Sequence, residues 1–190
     1  MKKTTIIILS IVFSFYQSCA QVYQPKDKDL HAGLLKQCID EGLNSKSTGD
    51  IAIAIGQKLL NTEYVAKTLE SKDKEQLIVN LREVDCVTFL ENVVALSRLV
   101  KQNKTGFDDY CRELQKIRYR DGRINGYPSR LHYFSDWIYD NQQKGIVKNI
   151  TLEIGGIPYE TDFDIMSRNR DKYPKLSHDD FYHRIDRKSV

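Results

Sequence analysis

Metal-binding signatures are missing from this sequence: it has no Cys-x-x-Cys pair and no His-Glu-x-x-His, so no metal site stands out. Charge of one sign is missing as well. The chain carries 29 Lys and Arg against 26 Asp and Glu, and setting aside Lys2 and Lys3 leaves 27 against 26 from Gln21 onward. A nucleic-acid partner calls for a strong basic excess, so near-neutrality argues against one. Long hydrophobic runs are lacking too. The apolar run from Ile6 to Tyr16 is too short to cross a bilayer as a helix, and no transmembrane segment is expected after it. No internal repeat or low-complexity segment divides the chain.

What is there begins with a leader. MKKTTIIILSIVFSFYQSCAQ sets two lysines before the apolar run and small residues after it, the layout of a secretory signal peptide. Cleavage after Ala20 satisfies the small-x-small rule through Ser18 and Ala20. A lipid anchor at Cys19 is the alternative, although Tyr16 is a poor residue three places before a lipid-bearing cysteine. The sequence therefore predicts a signal peptide over 1–20, cleaved or lipoprotein-type, and an exported protein, periplasmic or an outer-membrane lipoprotein. Residues 21–190 are enough for a single domain with a real core.

Cysteine is scarce, and its count is informative. Beyond the leader only Cys38, Cys86 and Cys111 remain, and an odd number in an exported protein leaves at least one thiol unpaired. Cys111 falls on the stripe Phe107, Tyr110, Cys111, Leu114, Ile117, an amphipathic helix face. Cys38 follows Leu30 and Leu34 at four-residue spacing. Both read as core cysteines that could pair with each other. Cys86 is different. In VDCVTFLENVVALSRLV (84–100) apolar residues recur at Leu90, Val93, Val94 and Val100, one helical face, and Asp85 is a good N-cap type. Cys86 then sits in the first turn, where unpaired N–H groups and the positive dipole end favour a thiolate. The bland alternative is a small buried hydrophobe in register with Leu90 and Val93.

Helical patterns cover about 28–44, 50–60, 86–102, 107–118 and 130–143, with a further short helix at 162–170. QLIVNL (76–81) and NITLEI (149–154) read as strands. Between the helices lies RYRDGRINGYPSRLHYFSDW (118–137), with two turn dipeptides, Asp121-Gly122 and Asn125-Gly126. Four arginines (118, 120, 123, 130) and three tyrosines (119, 127, 133) crowd those turns. Arginine forks suit carboxylates, and tyrosines offer flat apolar faces with a polar tip. The block suits a ligand bearing carboxylates and sugar or peptide faces; the alternative is a solvated loop anchored by its aromatics.

Taken together, EYVAKTLE (63–70), LIVNLREVDCVTFLENVVAL (77–96), RYRDGRINGYPSRLHYFSDWI (118–138), TLEIGG (151–156), Met166-Ser167 and Tyr173-Pro174 resemble the N-acetylmuramoyl-L-alanine amidase-like family. That family belongs with the NlpC-type, papain-like cell-wall cysteine hydrolases, and the resemblance runs over about 50–176. It implies an α+β fold: a helix-rich N-terminal part whose nucleophile helix packs on an incomplete papain-like (NlpC-type) β-sheet. It implies that Cys86 is the catalytic nucleophile and that Tyr64 lies near the oxyanion or substrate. Tyr119, Arg120, Asp121, Ser129, Arg130, His132 and Tyr133 fall in the family's most distinctive block, as substrate-cleft residues. Lys67 stands where a glycine is expected.

The family's catalytic histidine arrives on a later barrel strand, and the sequence looks like the N-terminal two-thirds of such an enzyme. Of His31, His132, His178 and His183, His132 is the substitute base to weigh, with Ser129 capping its helix and Asp136 at i+4 to orient the ring. His178 and His183 sit in a polar tail. The expected function is hydrolysis of a peptidoglycan amide bond, the muramic acid–L-alanine link or a nearby stem-peptide bond, with peptidoglycan or muropeptides as partner and no cofactor. The alternatives are a non-catalytic wall-binding or adaptor module and an exported cysteine protease.

Overall fold

The computed structural model describes residues 21–70, 74–157 and 164–181. The expected signal peptide, Cys19 and His183 lie outside the described residues. The six α-helices described are α1 (Pro25–Asp40), α2 (Thr48–Lys58), α3 (Cys86–Lys101), α4 (Phe107–Arg118), α5 (Phe134–Gln143) and the single-turn α6 (Ile165–Arg168). The strands are β1 (Gln21–Val22), β2 (Glu63–Tyr64), β3 (Leu77–Ile78) and β4 (Glu83–Val84).

The helices start where local chemistry dictates. Pro25 opens α1 at a position where its missing N–H costs nothing. Ser47 caps α2 by accepting from the Asp50 amide, with Asp50 in the first turn and Lys58 in the last, both matched to the helix dipole. Apolar residues on several sides of α3 are accounted for by its position: α2 packs on one side and α4 on another. Their shared core includes Ile51, Ile55, Val93, Leu96, Leu99, Leu114 and Ile117. The stripe read on α4 is the buried face, from Tyr110 and Cys111 to Ile117.

The strands form two separate parallel pairs, β1 with β3 and β2 with β4. The strand expected over 76–81 is present at Leu77–Ile78, and Val79 extends it by donating to the Val22 carbonyl at 2.9 Å. The chain is thus helix-rich α+β with small sheets.

Two expected elements differ. NITLEI is a series of turns: Ile154 donates to Ile150, Gly155 to Leu152, and the Asn149 side chain takes the Thr151 amide. A strand must pair its backbone groups with a neighbour, and among the described residues none lies beside this segment. The helix expected from 130 begins at Phe134, because Tyr127–Ser129 form a 3₁₀ turn around Pro128 and Arg130 is extended, bridging antiparallel to Tyr119. The short helix expected at 162–170 is described only from Asp164, and is helical at Ile165–Arg168.

Buried polar side chains cross-link this core. Arg118 and Glu91, both nearly inaccessible, meet at 2.7 Å and join α4 to α3. Asp27, fully buried, accepts from the Leu81 amide (3.0 Å) and from Arg82 Nε (3.1 Å), fastening α1 to the segment that leads into α3. Cys38 and Cys111 are buried thiols, and no disulfide joins them. His31, 1% exposed, packs on the rings of Phe107 and Tyr110, and burial pushes its pKa down to about 4.

Removing one partner of the buried pair leaves an uncompensated charge. Glu91→Ala should therefore cost about 3–5 kcal/mol in urea unfolding; a loss below 1 kcal/mol would show that the pair does not anchor the helices. The His31 ring is held neutral in the fold but takes a proton near pH 6.5 when unfolded. Its contribution is complete above pH 6.5 and declines at roughly 1.4 kcal/mol per pH unit as pH falls toward 4. His31→Phe should flatten the acid dependence of the urea midpoint between pH 6.5 and 4.5, and an unaltered slope would refute this.

Candidate active site

Cys86 is the first residue of α3, and the cap that places it there is complete. Asp85 Oδ1 accepts from the Thr88 amide at 2.8 Å, while Thr88 Oγ1 accepts from the Asp85 amide at 2.8 Å. This reciprocal capping box fixes where the helix begins. One residue earlier, Val84 pairs in parallel with Tyr64, and Val65 donates to the Val84 carbonyl at 3.0 Å. The β2–β4 pair thereby carries Tyr64 to the mouth of α3.

The result is a pocket of about 240 Å³ lined by Cys86, Tyr64, Phe89, Leu60 and their neighbours. Cys86 is exposed whereas Cys38 and Cys111 are buried, so the reading of Cys86 as a buried hydrophobe is not met. Tyr64 is 69% exposed and stands free on the pocket wall. Lys67, where a glycine was expected, has φ +64°, a left-handed conformation that favours glycine.

The arginine–tyrosine block is organised otherwise than its composition suggested. Its forks turn onto this chain's own carboxylates. Arg130 pairs with Glu70 (2.8 Å) and Glu75 (3.2 Å) and lies over the Tyr127 ring. Arg120 binds the Asp136 carboxylate. Tyr119 is 1% exposed, and its hydroxyl lies 2.9 Å from Glu75 Oε1 and 3.0 Å from the Gln76 carbonyl. Burial raises the Glu75 carboxyl above its ordinary range, against the opposing pull of Arg130. Ser129 Oγ donates to the Gly126 carbonyl and accepts from the Asn125 amide, closing the turn. Asp121 takes a left-handed φ of +53°, and the Tyr133 hydroxyl accepts from the Met166 amide at 3.0 Å.

His132 packs on the Tyr127 ring, and its Nε2 lies 2.9 Å from the Tyr127 carbonyl. Burial first, then the charge of Arg130, pushes its pKa down to about 3, so the ring is neutral and Nε2–H donates to that carbonyl. The expected i, i+4 pairing with Asp136 does not form, because α5 starts after His132 and Arg120 takes the carboxylate; Ser129 is likewise no cap for α5. Neither His132 nor Asp136 lines the pocket at Cys86. Of the predicted site residues, the structure brings Cys86 and Tyr64 together and gathers the others into a separate, mostly buried network. Among the described residues, no three His, Cys, Asp or Glu side chains cluster as metal ligands do.

Sequence reasoning missed Glu70, Glu75 and Glu91, the partners that occupy the arginines. They lie 27 to 60 residues away in the chain, so no local spacing marked them. It also missed Leu60 and Phe89 as pocket walls. Phe89 sits at i+3 from Cys86 on a helix, which is a usable signal.

The AmiA-like family, described as N-acetylmuramoyl-L-alanine amidase-like, matches residues 54–186. No curated protein matches the chain. Among solved structures, an N-acetylmuramoyl-L-alanine amidase from Bacteroides uniformis ATCC 8492 is 37% identical with a TM-score of 0.65, covering 69% of this chain and 55% of that one. A second B. uniformis amidase structure is 34% identical with a TM-score of 0.64 over 70% of this chain and 58% of its own. A Bacteroides fragilis protein provisionally described as a xylanase is 36% identical with a TM-score of 0.66, over 70% and 58%. The chain spans less than two thirds of the length of these structures. A match over most of its own length, with these neighbours, is decisive: the chain belongs to the AmiA-like, N-acetylmuramoyl-L-alanine amidase-like family.

Proposed function

We propose that this protein acts on peptidoglycan as an amide hydrolase of the N-acetylmuramoyl-L-alanine amidase-like type, with the thiol of Cys86 as nucleophile. One observation carries the reading: Cys86 is exposed at the capped start of α3, inside a pocket that it shares with Tyr64. The substrate is the amide between muramic acid and L-alanine, or a nearby stem-peptide bond, in peptidoglycan or its fragments. Family membership and the B. uniformis amidase neighbours support that class.

In this mechanism the sulfur attacks the amide carbonyl and a C–S bond forms. Backbone N–H groups at the start of α3 hold the developing oxyanion. The C–N bond then breaks, and the amine departs with a proton delivered by a histidine; water cleaves the thioester and returns the thiol. We place that histidine outside the described residues, on a papain-like, NlpC-type sheet, since none of the described ones lines the Cys86 pocket. No metal or organic cofactor enters these steps. The arginine–tyrosine network, including Tyr119, Arg120, Asp121, Ser129, Arg130 and Tyr133, shapes and stiffens the cleft in this scheme. The protein works after export, in the periplasm or as an outer-membrane lipoprotein, where peptidoglycan lies.

A second reading is a non-catalytic wall-binding or adaptor module. It is favoured by the lack of any histidine among the residues lining the Cys86 pocket.

Iodoacetamide should alkylate Cys86 in the native protein while sparing the buried Cys38 and Cys111; equal labelling of all three would remove the distinction. In a family member that hydrolyses muropeptides, serine at the position equivalent to Cys86 should abolish hydrolysis without lowering the melting temperature, because oxygen is a far poorer nucleophile at neutral pH. Residues 21–190 alone should release no amine from muropeptides, and His132→Ala should leave Cys86 alkylation unchanged. Robust turnover that vanishes in His132→Ala would overturn this assignment and restore Cys86–His132–Asp136 as the catalytic set.

A further inference from the structure

Tyr64 stands on a part of the chain that buries little. Between residues 61 and 70 no residue is fully buried, although this stretch carries one wall of the Cys86 pocket. Such a segment gains little from the hydrophobic effect and has to be held by particular bonds. At its near end these are the bonds of β2. Tyr64 pairs with Val84, and Val65 donates to the Val84 carbonyl at 3.0 Å.

The turn that follows, over 66–69, is poorly held by its own groups. Lys67 takes a left-handed φ of +64°. The Thr68 hydroxyl is buried with no hydrogen-bond partner among the described residues. The Glu70 amide closes the turn by donating to the Lys67 carbonyl at 3.1 Å. A left-handed lysine and a buried, unpaired hydroxyl are both unfavourable, and a strained turn persists where its surroundings over-determine it.

The far end supplies that constraint. Glu70 Oε1 accepts from Arg130 Nη2 at 2.8 Å. The two partners differ in setting, since the Arg130 side chain is 8% exposed and that of Glu70 is 40% exposed. Arg130 is itself fixed from three sides. Its Nε faces Glu75 at 3.2 Å, its guanidinium lies 5.0 Å over the Tyr127 ring, and its backbone bridges to Tyr119. A buried, immobilised guanidinium therefore grips a carboxylate that stands six positions after Tyr64 on an unburied segment.

We propose that the Glu70–Arg130 pair is a latch that positions the Tyr64 wall of the Cys86 pocket, with Glu70 and Arg130 as positioning residues. This inference rests on the reading of the Cys86 pocket as the reactive site. It gives the arginine–tyrosine block a link to that pocket: Arg130 acts through Glu70 on the segment that carries Tyr64. Because Glu70 is exposed, the latch is open to screening by salt.

The test uses the chain from Gln21 and two thiol reagents, iodoacetamide and the bulkier N-benzyl iodoacetamide, which sense the width of the pocket at Cys86. Glu70→Ala should lower the preference for the smaller reagent at least threefold. It should also speed hydrogen exchange at the Val65 amide at least threefold, with the melting temperature and the exchange of α4 amides unchanged. Glu70→Gln keeps an oxygen for Arg130 to donate to, and should retain part of the preference. Salt at about 1 M, where the Debye length falls to about 3 Å, should move the wild-type protein toward Glu70→Ala and leave Glu70→Gln as it is. The Glu70 variants carry the test because Arg130 is buried and its replacement can unfold the chain. A preference and a Val65 exchange rate within twofold of wild type in Glu70→Ala overturn the proposal. So does a lowered melting temperature with both reagents accelerated alike, the mark of a merely structural bond. If the latch behaves as expected while an active family member hydrolyses muropeptides without its equivalent cysteine, the latch stands and the nucleophile assignment fails.

Discussion

The buried ion pair between Arg118 and Glu91 fixes the parts on which the site depends. Glu91 lies in the second turn of α3, and Arg118 is the last residue of α4. The same guanidinium also donates to the Ile78 carbonyl, and the Arg118 carbonyl accepts from Leu131 at 3.0 Å. One side chain and its own backbone therefore tie α3, α4, β3 and the loop before α5. A surface pair of this kind contributes less than about 1 kcal/mol, but a desolvated charge has no substitute partner, so separating these elements strands it. The start of α3, and with it Cys86, inherits that rigidity.

The same physics explains why the arginine–tyrosine block faces inward. Arg130 is 8% exposed and Glu75 only 3%, so each needs the other. Tyr119 is held by Glu75, Tyr127 lies under Arg130, and His132 lies on Tyr127. Arg118, Arg120 and Arg130 are thereby each committed to a carboxylate of the chain. Its burial also keeps His132 neutral.

Sequence made the local features legible. The N-cap at Asp85, the amphipathic stripe of α4 and the contrast among three cysteines all follow from residues within a few positions of each other, where spacing is geometry. The two buried cysteines and the exposed one could be told apart because helical position decides burial. The network around Arg130 was not legible, since its meaning depends on carboxylates 55 and 60 residues distant. NITLEI was misread for a related reason. Its β-branched residues fit a strand, but a strand is a relation between two segments, and with no partner beside it the backbone satisfies itself in turns. Ile150, Leu152, Ile154 and Ile157 stay exposed as a consequence.

A pocket around an exposed thiol has to combine two opposed properties, and the chain separates them by element. Precision comes from the capped helix and from the parallel pairing that sets Tyr64 beside Val84. Openness comes from residues that decline to pack. Cys86 points away from the core that its own helix builds, and Tyr64 is exposed on a two-residue strand. Lys67 accepts a left-handed φ that glycine adopts freely, a cost of order 1 kcal/mol in a segment three residues beyond Tyr64. An exposed tyrosine and an exposed cysteine thus share one pocket wall, and the left-handed lysine follows three residues after the tyrosine. Local propensity is overridden where a surface must stay available to a ligand.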